Sequence, residues 1–333
     1  MLRNKKQKIT ILLTFCVALT ISSFLFFQLS SLFGVVAINT GEETTDLRLS
    51  TTHTSLVEID DTDPTKDWAF WKAGGLCTGS GTAGDPYVIE DDIFNVAGQC
   101  LVIVHSEKHF IVRNCTFNNP GMVETIELWN TTNGIFEDNL LPILWRPFVL
   151  VQCGDIIFRN NNFTACGYSI LLVNSRDVTI ENNWIGGSVF TAIELDNCND
   201  TLINNNDIIL GADLCIYIDD SLRTTVTNNL IEDNAIFGVL FVTSNHTTIS
   251  NNDINENQNY GIYGIFSFHA VVSNNDLFNN TDYGIVFEDM GYSTIDSNTL
   301  DYHAGGIALD DSPYNEVTKN TIILAIKCPV IQD

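Results

Sequence analysis

The chain has 333 residues, with 15 Lys and Arg against 41 Asp and Glu, which gives a formal net charge of −26 at pH 7. Such an acidic chain lacks the basic face that a nucleic-acid-binding protein needs to displace phosphate counterions, so this class is excluded. A hydrophobic content of 45% with 17% charged residues also excludes intrinsic disorder, because it supplies enough apolar surface for a core.

The N-terminal segment is first basic and then apolar. Residues 1–8 contain four basic residues and no acid, and residues 9–37 carry no charge. More than about 20 uncharged residues can span the hydrocarbon core of a bilayer as a helix. We predict a transmembrane anchor in 9–37, with a cleaved signal peptide ending near Ala37 as the alternative. Under either interpretation residues 1–8 are cytoplasmic, and everything after residue 37 is exported to the cell surface.

The region after the apolar segment is rich in Thr and acid. Residues 38–66 have no hydrophobic period, which predicts a flexible stalk. Cys16 lies in the apolar segment and the other eight of the nine cysteines follow it. An oxidising compartment would permit disulfides among these eight, but their pairing does not follow from sequence.

Residues 101–324 repeat with a period of 22–24 residues. Each unit has an apolar anchor, such as Ile180, Ile203 or Val226, and two more apolar residues ten and eight positions before it. A spacing of two places the upstream pair on one face of a strand. Three short strands per repeat, with no room for a helix, predict an all-β fold. We expect a parallel β-helix solenoid of about ten coils that are ~4.8 Å apart.

One position, three residues after the anchor, holds asparagine in nine consecutive repeats. Amides stacked at the strand spacing can donate to and accept from one another, so this column predicts a hydrogen-bonded ladder. We also expect these asparagines to supply the left-handed backbone of a tight corner. The predicted structural ladder is Asn139, Asn161, Asn183, Asn206, Asn229, Asn252, Asn275, Asn298 and Asn320.

The repeat resembles that of the right-handed parallel β-helices of the pectin-lyase-like superfamily, which includes NosD-like proteins and many archaeal surface proteins. The segment from Gly79 to Glu90 is similar to the one that opens such helices. The resemblance covers about residues 75–324 and implies an N-terminal cap in 67–100. Residues 325–333 are a tail without an evident cap, so we expect a partner or further chain to cover that end. The superfamily includes lyases, hydrolases, epimerases and non-enzymatic surface proteins.

Function is expected on the outward positions nine and seven residues before each anchor, where apolar and acidic coils alternate. One acidic centre has Arg223 nearby, and a second centre lies further along the solenoid. One apolar patch precedes the first centre and another lies between the two centres, and we expect protein, rather than sugar, to cover both patches. The first centre is Glu194, Asp196, Asp219 and Asp220; the second is Glu288, Asp289, Asp310 and Asp311; the patches are Val149, Val151, Leu171 and Val173, and Leu240, Val242, Tyr263 and Ile265.

Three functions stay open. The uneven outer face favours a non-enzymatic surface protein that binds glycans, envelope components or other proteins. The resemblance implies a second function, a lyase, hydrolase or epimerase, because Asp219-Asp220 and Asp310-Asp311 are similar to the paired aspartates of polygalacturonases. In that case the first centre would be catalytic, with Arg223 as the base of a lyase. The companion Gly-His-Gly and Arg-Ile-Lys motifs of polygalacturonases are missing from the chain.

Two places are candidates for metal binding, although the column that holds His246 and His269 is a turn position that tolerates polar residues of any kind. The second acidic centre offers the oxygen ligands that Ca²⁺ prefers. His246 and His269 fall in adjacent coils, but a closed metal site needs three or four ligands. A NosD-like accessory role in metal handling is the third function that the resemblance implies.

Overall fold

The computed structural model describes residues 50–119, 121–234, 236–323 and 330–332. The predicted cytoplasmic segment 1–8, the apolar segment 9–37 and residues 38–49 lie outside the described residues. Among the residues that are described, no helix has the length and apolar character needed to cross a bilayer.

The described residues form one short helix and many short strands. The helix, α1, is Trp68–Ala73. The strands in chain order are β1 (Thr52–His53), β2 (Val57–Asp60), β3 (Tyr87–Glu90), β4 (Ile93–Asn95), β5 (Leu101–Val104), β6 (Phe110–Arg113), β7 (Thr116–Asn118), β8 (Glu124–Trp129), β9 (Thr132–Glu137), β10 (Leu140–Pro142), β11 (Arg146–Val151), β12 (Gly154–Arg159), β13 (Asn162–Thr164), β14 (Tyr168–Val173), β15 (Thr179–Glu181), β16 (Trp184–Gly186), β17 (Thr191–Asp196), β18 (Leu202–Asn204), β19 (Asp207–Ile209), β20 (Leu214–Asp219), β21 (Thr225–Thr227), β22 (Leu230–Glu232), β23 (Phe237–Val242), β24 (Thr248–Ser250), β25 (Asp253–Asn255), β26 (Tyr260–Ile265), β27 (Val271–Ser273), β28 (Asp276–Phe278), β29 (Tyr283–Glu288), β30 (Thr294–Asp296), β31 (Thr299–Asp301), β32 (Gly305–Asp310), β33 (Glu316–Thr318), β34 (Thr321–Ile323) and β35 (Val330–Gln332).

Each strand pairs in parallel with the strand three places further along the chain, which confirms the predicted all-β solenoid. Over the described residues the first sheet has 12 strands, β1-β4-β7 through β34, and the second has 12 strands, β2-β5-β8 through β35. The third sheet has 11 strands, β3-β6-β9 through β33. Because every coil contributes one strand to each sheet, neighbouring coils bury each other's apolar faces.

The predicted domain boundaries need three corrections. The stalk prediction is wrong for residues 52–60, because β1 and β2 pair with β4 and β5, with Val57 and Ile59 buried. The region 67–100 is more than a cap, since β3 and β4 within it continue the sheets. The predicted tail contributes β35, which pairs with β32. These five strands have two to four residues each and are too short to show a period in the sequence.

The helix α1 lies before the strand β3. The Asp67 carboxylate accepts the Phe70 N–H at 2.7 Å as the N-cap. The Trp68 ring is buried and stacks on Tyr87 with 4.9 Å between centroids, and its Nε1–H donates to Ser106 Oγ at 2.9 Å. The tryptophan thus joins α1 to the core of the first coils, and this contact supports the predicted cap.

The predicted asparagine ladder is confirmed. Asn206 Nδ2 donates to Asn229 Oδ1 at 3.0 Å, and the backbone N–H of Asn206 donates to the same oxygen at 2.9 Å. Asn229 repeats both contacts with Asn252 at 3.0 and 2.9 Å. The chain of amides runs from Asn139 to Asn320, and Cys115 begins it by donating its N–H to Asn139 Oδ1 at 3.0 Å. Each buried amide is therefore satisfied within the column.

The left-handed corner lies one residue earlier than the sequence predicted. The residues that precede the ladder positions have positive φ, among them Asn182 at 55°, Asn205 at 54° and Asn228 at 56°. These side chains are exposed. Where two asparagines are adjacent, as at 182–183, 205–206 and 228–229, they therefore divide the two roles, since one makes the turn and the other fills its interior.

A second internal column, missed in the sequence, stacks hydroxyl and thiol side chains. Ser244 Oγ accepts the Ser221 N–H at 3.0 Å, and Ser267 Oγ accepts the Ser244 N–H at 2.8 Å. Cys153 and Cys198 occupy the same column and donate their N–H groups to Ser175 and Ser221. Cysteine and serine alternate there because both are small and both make weak or moderate hydrogen bonds.

The described cysteines lie in the core. Cys77, Cys100, Cys115, Cys153, Cys166, Cys198 and Cys215 are all buried without a disulfide. Burial raises the pKa of the Cys153 thiol to about 11 and that of Cys166 to about 12. Because the thiolate is the reactive form, these residues act as small apolar core groups.

Candidate functional site

The outer face of the second sheet carries the predicted site. From β8 to β32 its strands are six residues long, and their first, fourth and sixth side chains face outward. The fourth and sixth positions are those predicted from sequence. Parallel pairing in register turns each position into a column that runs along the solenoid axis.

The first acidic centre is assembled in adjacent coils. Asp196 lies opposite Asp219, and Glu194 lies opposite Tyr217, in the pairing of β17 with β20. The Asp219 carboxylate accepts three hydrogen bonds, from the Tyr217 hydroxyl at 3.2 Å, from the Thr243 hydroxyl at 3.0 Å and from the Asp220 N–H at 3.0 Å. These three bonds fix the orientation of the carboxylate, while the Asp220 side chain is exposed beside it.

Arg223 does not join this centre. Its guanidinium makes a two-pronged ion pair with Asp200, with Nε to Oδ1 at 2.6 Å and Nη2 to Oδ2 at 2.7 Å. The two residues lie in the turns that lead into the third sheet, where Arg223 and Asp200 both have positive φ. The predicted role of Arg223 as a base beside Asp219 and Asp220 therefore has no support in the geometry, because its donors are engaged by another carboxylate.

Burial and mutual repulsion disfavour the charged form of two carboxylates in the centre. Burial raises the pKa of Glu194, Arg146 opposes the rise, and Asp196 and Asp219 add to it. The pKa of Asp196 is also raised, first by burial and then by the charges of Asp219 and Asp220. A carboxyl group with a raised pKa in a half-buried cluster can donate a hydrogen bond or a proton.

A cation and a cluster of aromatic side chains, neither of which was predicted from the sequence, lie at or next to the first position of these strands. Arg146 lies over the Tyr168 ring with 4.9 Å from Cζ to the centroid, and its Nη1 is 3.3 Å from Glu124 Oε1. Trp145 packs edge-on against Tyr168 and Phe190, with centroids 5.9 and 5.3 Å apart. The sequence contains a pattern that could have identified this position. Twelve residues before the anchor, five of the repeats have an arginine or an aromatic residue: Arg146, Tyr168, Phe237, Tyr260 and Tyr283.

The second acidic centre is more loosely organised. Glu288 lies opposite Asp310 in the pairing of β29 with β32, and the Asp289 N–H donates to the Asp310 carbonyl at 3.0 Å. The Tyr263 hydroxyl donates to Glu288, and the side chains of Asp310 and Asp311 are exposed. Within the described ranges no group of three or more His, Cys, Asp or Glu side chains is arranged to hold a metal ion. A Ca²⁺ site at these residues stays a prediction.

The two apolar patches are partly buried. Val149 and Leu240 are each only 8% exposed, although they face outward, and the other six residues are partly exposed. Leu240 pairs with Tyr263, and Phe237 packs on Tyr260 and Tyr263 at 5.4 and 5.6 Å between centroids. The expected covering of both patches by protein stays a prediction. The remaining face is a mixed aromatic and acidic strip.

A family model described as the right-handed beta helix region matches residues 70–208, 146–300 and 243–327. No curated protein sequence matches the chain with significance. A solved structure of a variant of the periplasmic alginate epimerase AlgG is similar, with 14% identity and a TM-score of 0.60 over 72% of this chain and 75% of that one.

Two further solved structures are similar at the level of the fold. The A-module of mannuronan C-5 epimerase AlgE6 from Azotobacter vinelandii has 14% identity and a TM-score of 0.51, over 74% of this chain and 85% of that one. PfbA, a surface adhesin of Streptococcus pneumoniae, has 12% identity and a TM-score of 0.51, over 77% of both chains. Proteins that share this fold thus include enzymes and an adhesin, so activity must be argued from the site.

Proposed function

Because the chain belongs to the right-handed β-helix family, we propose that it is an exported surface protein that binds a glycan along the outer face of its second sheet. The observation that carries the proposal is a set of half-buried or exposed aromatic side chains on every second strand of this sheet, interspersed with carboxylates. They are Trp129 in β8, Tyr168 in β14, Tyr217 in β20 and Tyr263 in β26. Tyr and Trp combine a large apolar surface with a polar tip, and this combination suits sugar rings.

The charge of the face favours a neutral or amino-bearing glycan over a polyuronate. Glu194, Asp196 and Asp219 lie together, and the charge of Arg146 is shared with Glu124. A uronate polymer would meet this negative potential and the net charge of −26. Hydroxyl or ammonium groups of a sugar could instead hydrogen-bond to the same carboxylates.

The surface location rests on the N-terminal sequence. The apolar segment 9–37 with its basic flank would hold the solenoid at the outer side of a membrane. The surface adhesin among the similar folds is consistent with such a location. Other surface proteins are alternative partners for the same strip, and the experiment below distinguishes them from glycans.

The test is affinity electrophoresis of the full-length chain in gels that contain neutral, amino-sugar or uronic-acid polysaccharides, each with and without Ca²⁺. We expect retardation by a neutral or amino-sugar polymer, and Trp129→Ala and Tyr217→Ala should weaken it. Tyr302→Ala is the matched control. Tyr302 is 55% exposed, but it directly follows β31 of the first sheet and therefore lies outside the strip on the second sheet. Equal mobility in every gel would overturn the glycan proposal and leave a protein partner to be sought.

A polysaccharide-active enzyme is the second candidate, and Glu194 favours it. Its half-buried carboxyl has a raised pKa and lies beside Asp196 and Asp219, so a protonated and an ionised carboxyl could act as acid and base on one glycosidic bond. Turnover would be followed by unsaturated-product absorbance and by reducing ends on the same polysaccharides. Glu194→Gln should abolish it, whereas Arg223→Gln should leave it unchanged because Arg223 pairs with Asp200.

A further inference from the structure

The turns between the second and third sheets carry a column of four stacked rings on the surface of the solenoid. His246 and His269 stack with 5.0 Å between centroids at an interplanar angle of 11°. Tyr292 continues the stack at 5.6 Å from His269, and Tyr314 follows at 5.1 Å. All four side chains are exposed. This column lies outside the strip to which the proposed function is assigned.

We propose that His246 and His269 bind one borderline divalent transition-metal ion, of the class of Cu²⁺, Ni²⁺ or Zn²⁺. Neutral imidazole is a preferred ligand of these ions, whereas Ca²⁺ and Mg²⁺ prefer oxygen. Two imidazole nitrogens from the protein would leave the remaining coordination positions to water. The proposed site therefore has two protein ligands, and the described residues hold no group of three or more His, Cys, Asp or Glu arranged for a metal ion.

The backbone sets the spacing of the two histidines in advance. Both residues have positive φ, 57° for His246 and 59° for His269. The His246 N–H donates to the Phe268 carbonyl at 3.0 Å, and the His269 N–H donates to the Gly291 carbonyl at 3.2 Å. The two Cα atoms are thus held one coil apart, about 4.8 Å. Little conformational freedom of the main chain remains to be lost on binding.

The rings themselves are free to converge. Metal–nitrogen bonds of about 2.0–2.1 Å require the two nitrogens to approach to roughly 3.0–3.4 Å at tetrahedral or right angles. Each nitrogen lone pair lies in its ring plane, and the two planes are only 11° apart with centroids at 5.0 Å, so the rings must rotate out of the stack for both nitrogens to reach one ion. Neither imidazole has a hydrogen-bond partner in the part of the chain that the structure describes, and the outer torsion of histidine is broad.

The electrostatics around the pair also admit a cation. The guanidinium of Arg223, one coil before His246 in the same column, is neutralised by its two-pronged contact with Asp200. The whole chain carries −26, which raises the local concentration of divalent cations. Three of the other described histidines offer no such pair: His53 contacts Asp92, His105 contacts Asp60, and His303 is buried.

The test uses the full-length chain without a polyhistidine tag, titrated by calorimetry with Cu²⁺, Ni²⁺ and Zn²⁺ in separate runs. We expect one equivalent of each ion, with Cu²⁺ tightest. His246→Asn and His269→Asn should each remove the binding, and asparagine tolerates the positive φ of both positions. His105→Asn is the matched control, since His105 is an exposed imidazole at a φ of 55° and should be dispensable.

Two further measurements separate imidazole binding from binding to the acidic surface. Excess Ca²⁺ should not displace Ni²⁺, and the electron paramagnetic resonance spectrum of bound Cu²⁺ should show splitting from two nitrogens. Tyr292→His would place a third imidazole in the column and should tighten binding by about tenfold or more. The proposal is overturned by unchanged binding in both asparagine variants, by displacement with Ca²⁺, or by no binding up to about 1 mM metal.

Discussion

Two columns of this solenoid repeat once per coil but differ in which way their side chains point. In the ladder, Asn206, Asn229 and Asn252 are at most 2% exposed, and each amide bonds to the next. In the outer column, His246 and Tyr292 are exposed and touch their neighbours through ring faces. The stacking geometry therefore favours asparagine in this inner column, where polar groups must be paired, and leaves the residue type free in the outer one.

The largest effect is expected from breaking the ladder in its middle. Asn229→Ala removes the oxygen that accepts both the backbone and the side-chain N–H of Asn206, and it leaves the Ile203 carbonyl without its amide donor. Leaving buried groups unpaired costs about 1–3 kcal/mol each, so we expect the free energy of unfolding to fall by about 2–4 kcal/mol. Denaturant titration followed by circular dichroism measures the loss.

The neighbouring residue provides the control for this experiment. Asn228 is exposed and has a φ of 56°, so Asn228→Gly keeps the backbone conformation and removes only a surface amide. Its effect should stay below about 1 kcal/mol. Equal losses in the two variants would show that the repeated asparagines stabilise the turn and that the ladder contributes little.

A smaller effect is expected in the hydroxyl column. Ser244→Ala leaves the buried Ser221 N–H without the oxygen that accepts it at 3.0 Å, and we expect a loss of about 1–2 kcal/mol in the free energy of unfolding. For Ser244→Cys we expect about half the loss in the free energy of unfolding seen for Ser244→Ala, since Cys153 and Cys198 already occupy this column. Chemical denaturation of both variants tests the order, and an alanine variant as stable as the cysteine one would contradict it.

A third internal column ends in a histidine and makes stability depend on pH. Asn234, Asn257 and Asn280 bond in series, and His303 Nδ1 accepts the Asn280 N–H at 3.2 Å. Burial lowers the pKa of His303 below its ordinary value of 6.5, so protonation favours the unfolded chain. Its contribution is therefore intact above about pH 6.5 and is lost as the pH falls through that value to the folded pKa.

The variant His303→Asn isolates this contribution. Asparagine continues the column without a titrating group, so the fall in stability between pH 7 and pH 5 should be smaller in the variant than in the wild type. Each unit by which the pKa is lowered corresponds to about 1.4 kcal/mol. Thermal unfolding of both proteins across this pH range gives the difference, and parallel curves would assign the acid sensitivity to carboxylates instead.

The sequence predicted the asparagine ladder better than the outer face, for a physical reason. A position such as Asn229 is specified by the need to pair buried amides, so its identity recurs every 22–24 residues and can be read from one chain. Glu194 and Asp219 could be placed on one face by the same period. The partners of these carboxylates could not be predicted. Arg223 pairs with Asp200 instead, and Arg146 lies at a strand position that the two-residue alternation did not include. Short strands such as β1 and β2 showed no period at all.

The smallest effect on stability is expected in the outer column, which contains His246, His269 and Tyr292. His246→Asn removes one exposed ring contact with His269 and places a residue that favours positive φ at a turn of 57°. These changes oppose each other, so the free energy of unfolding should stay within about 0.5 kcal/mol of the wild type in metal-free buffer. A loss above about 1 kcal/mol would mean that the column stabilises the solenoid as the ladder does. An unchanged free energy of unfolding, together with loss of transition-metal binding in the same variant, would distinguish the outer column from the ladder by experiment. Only a residue that does not stabilise the fold is available to bind a ligand.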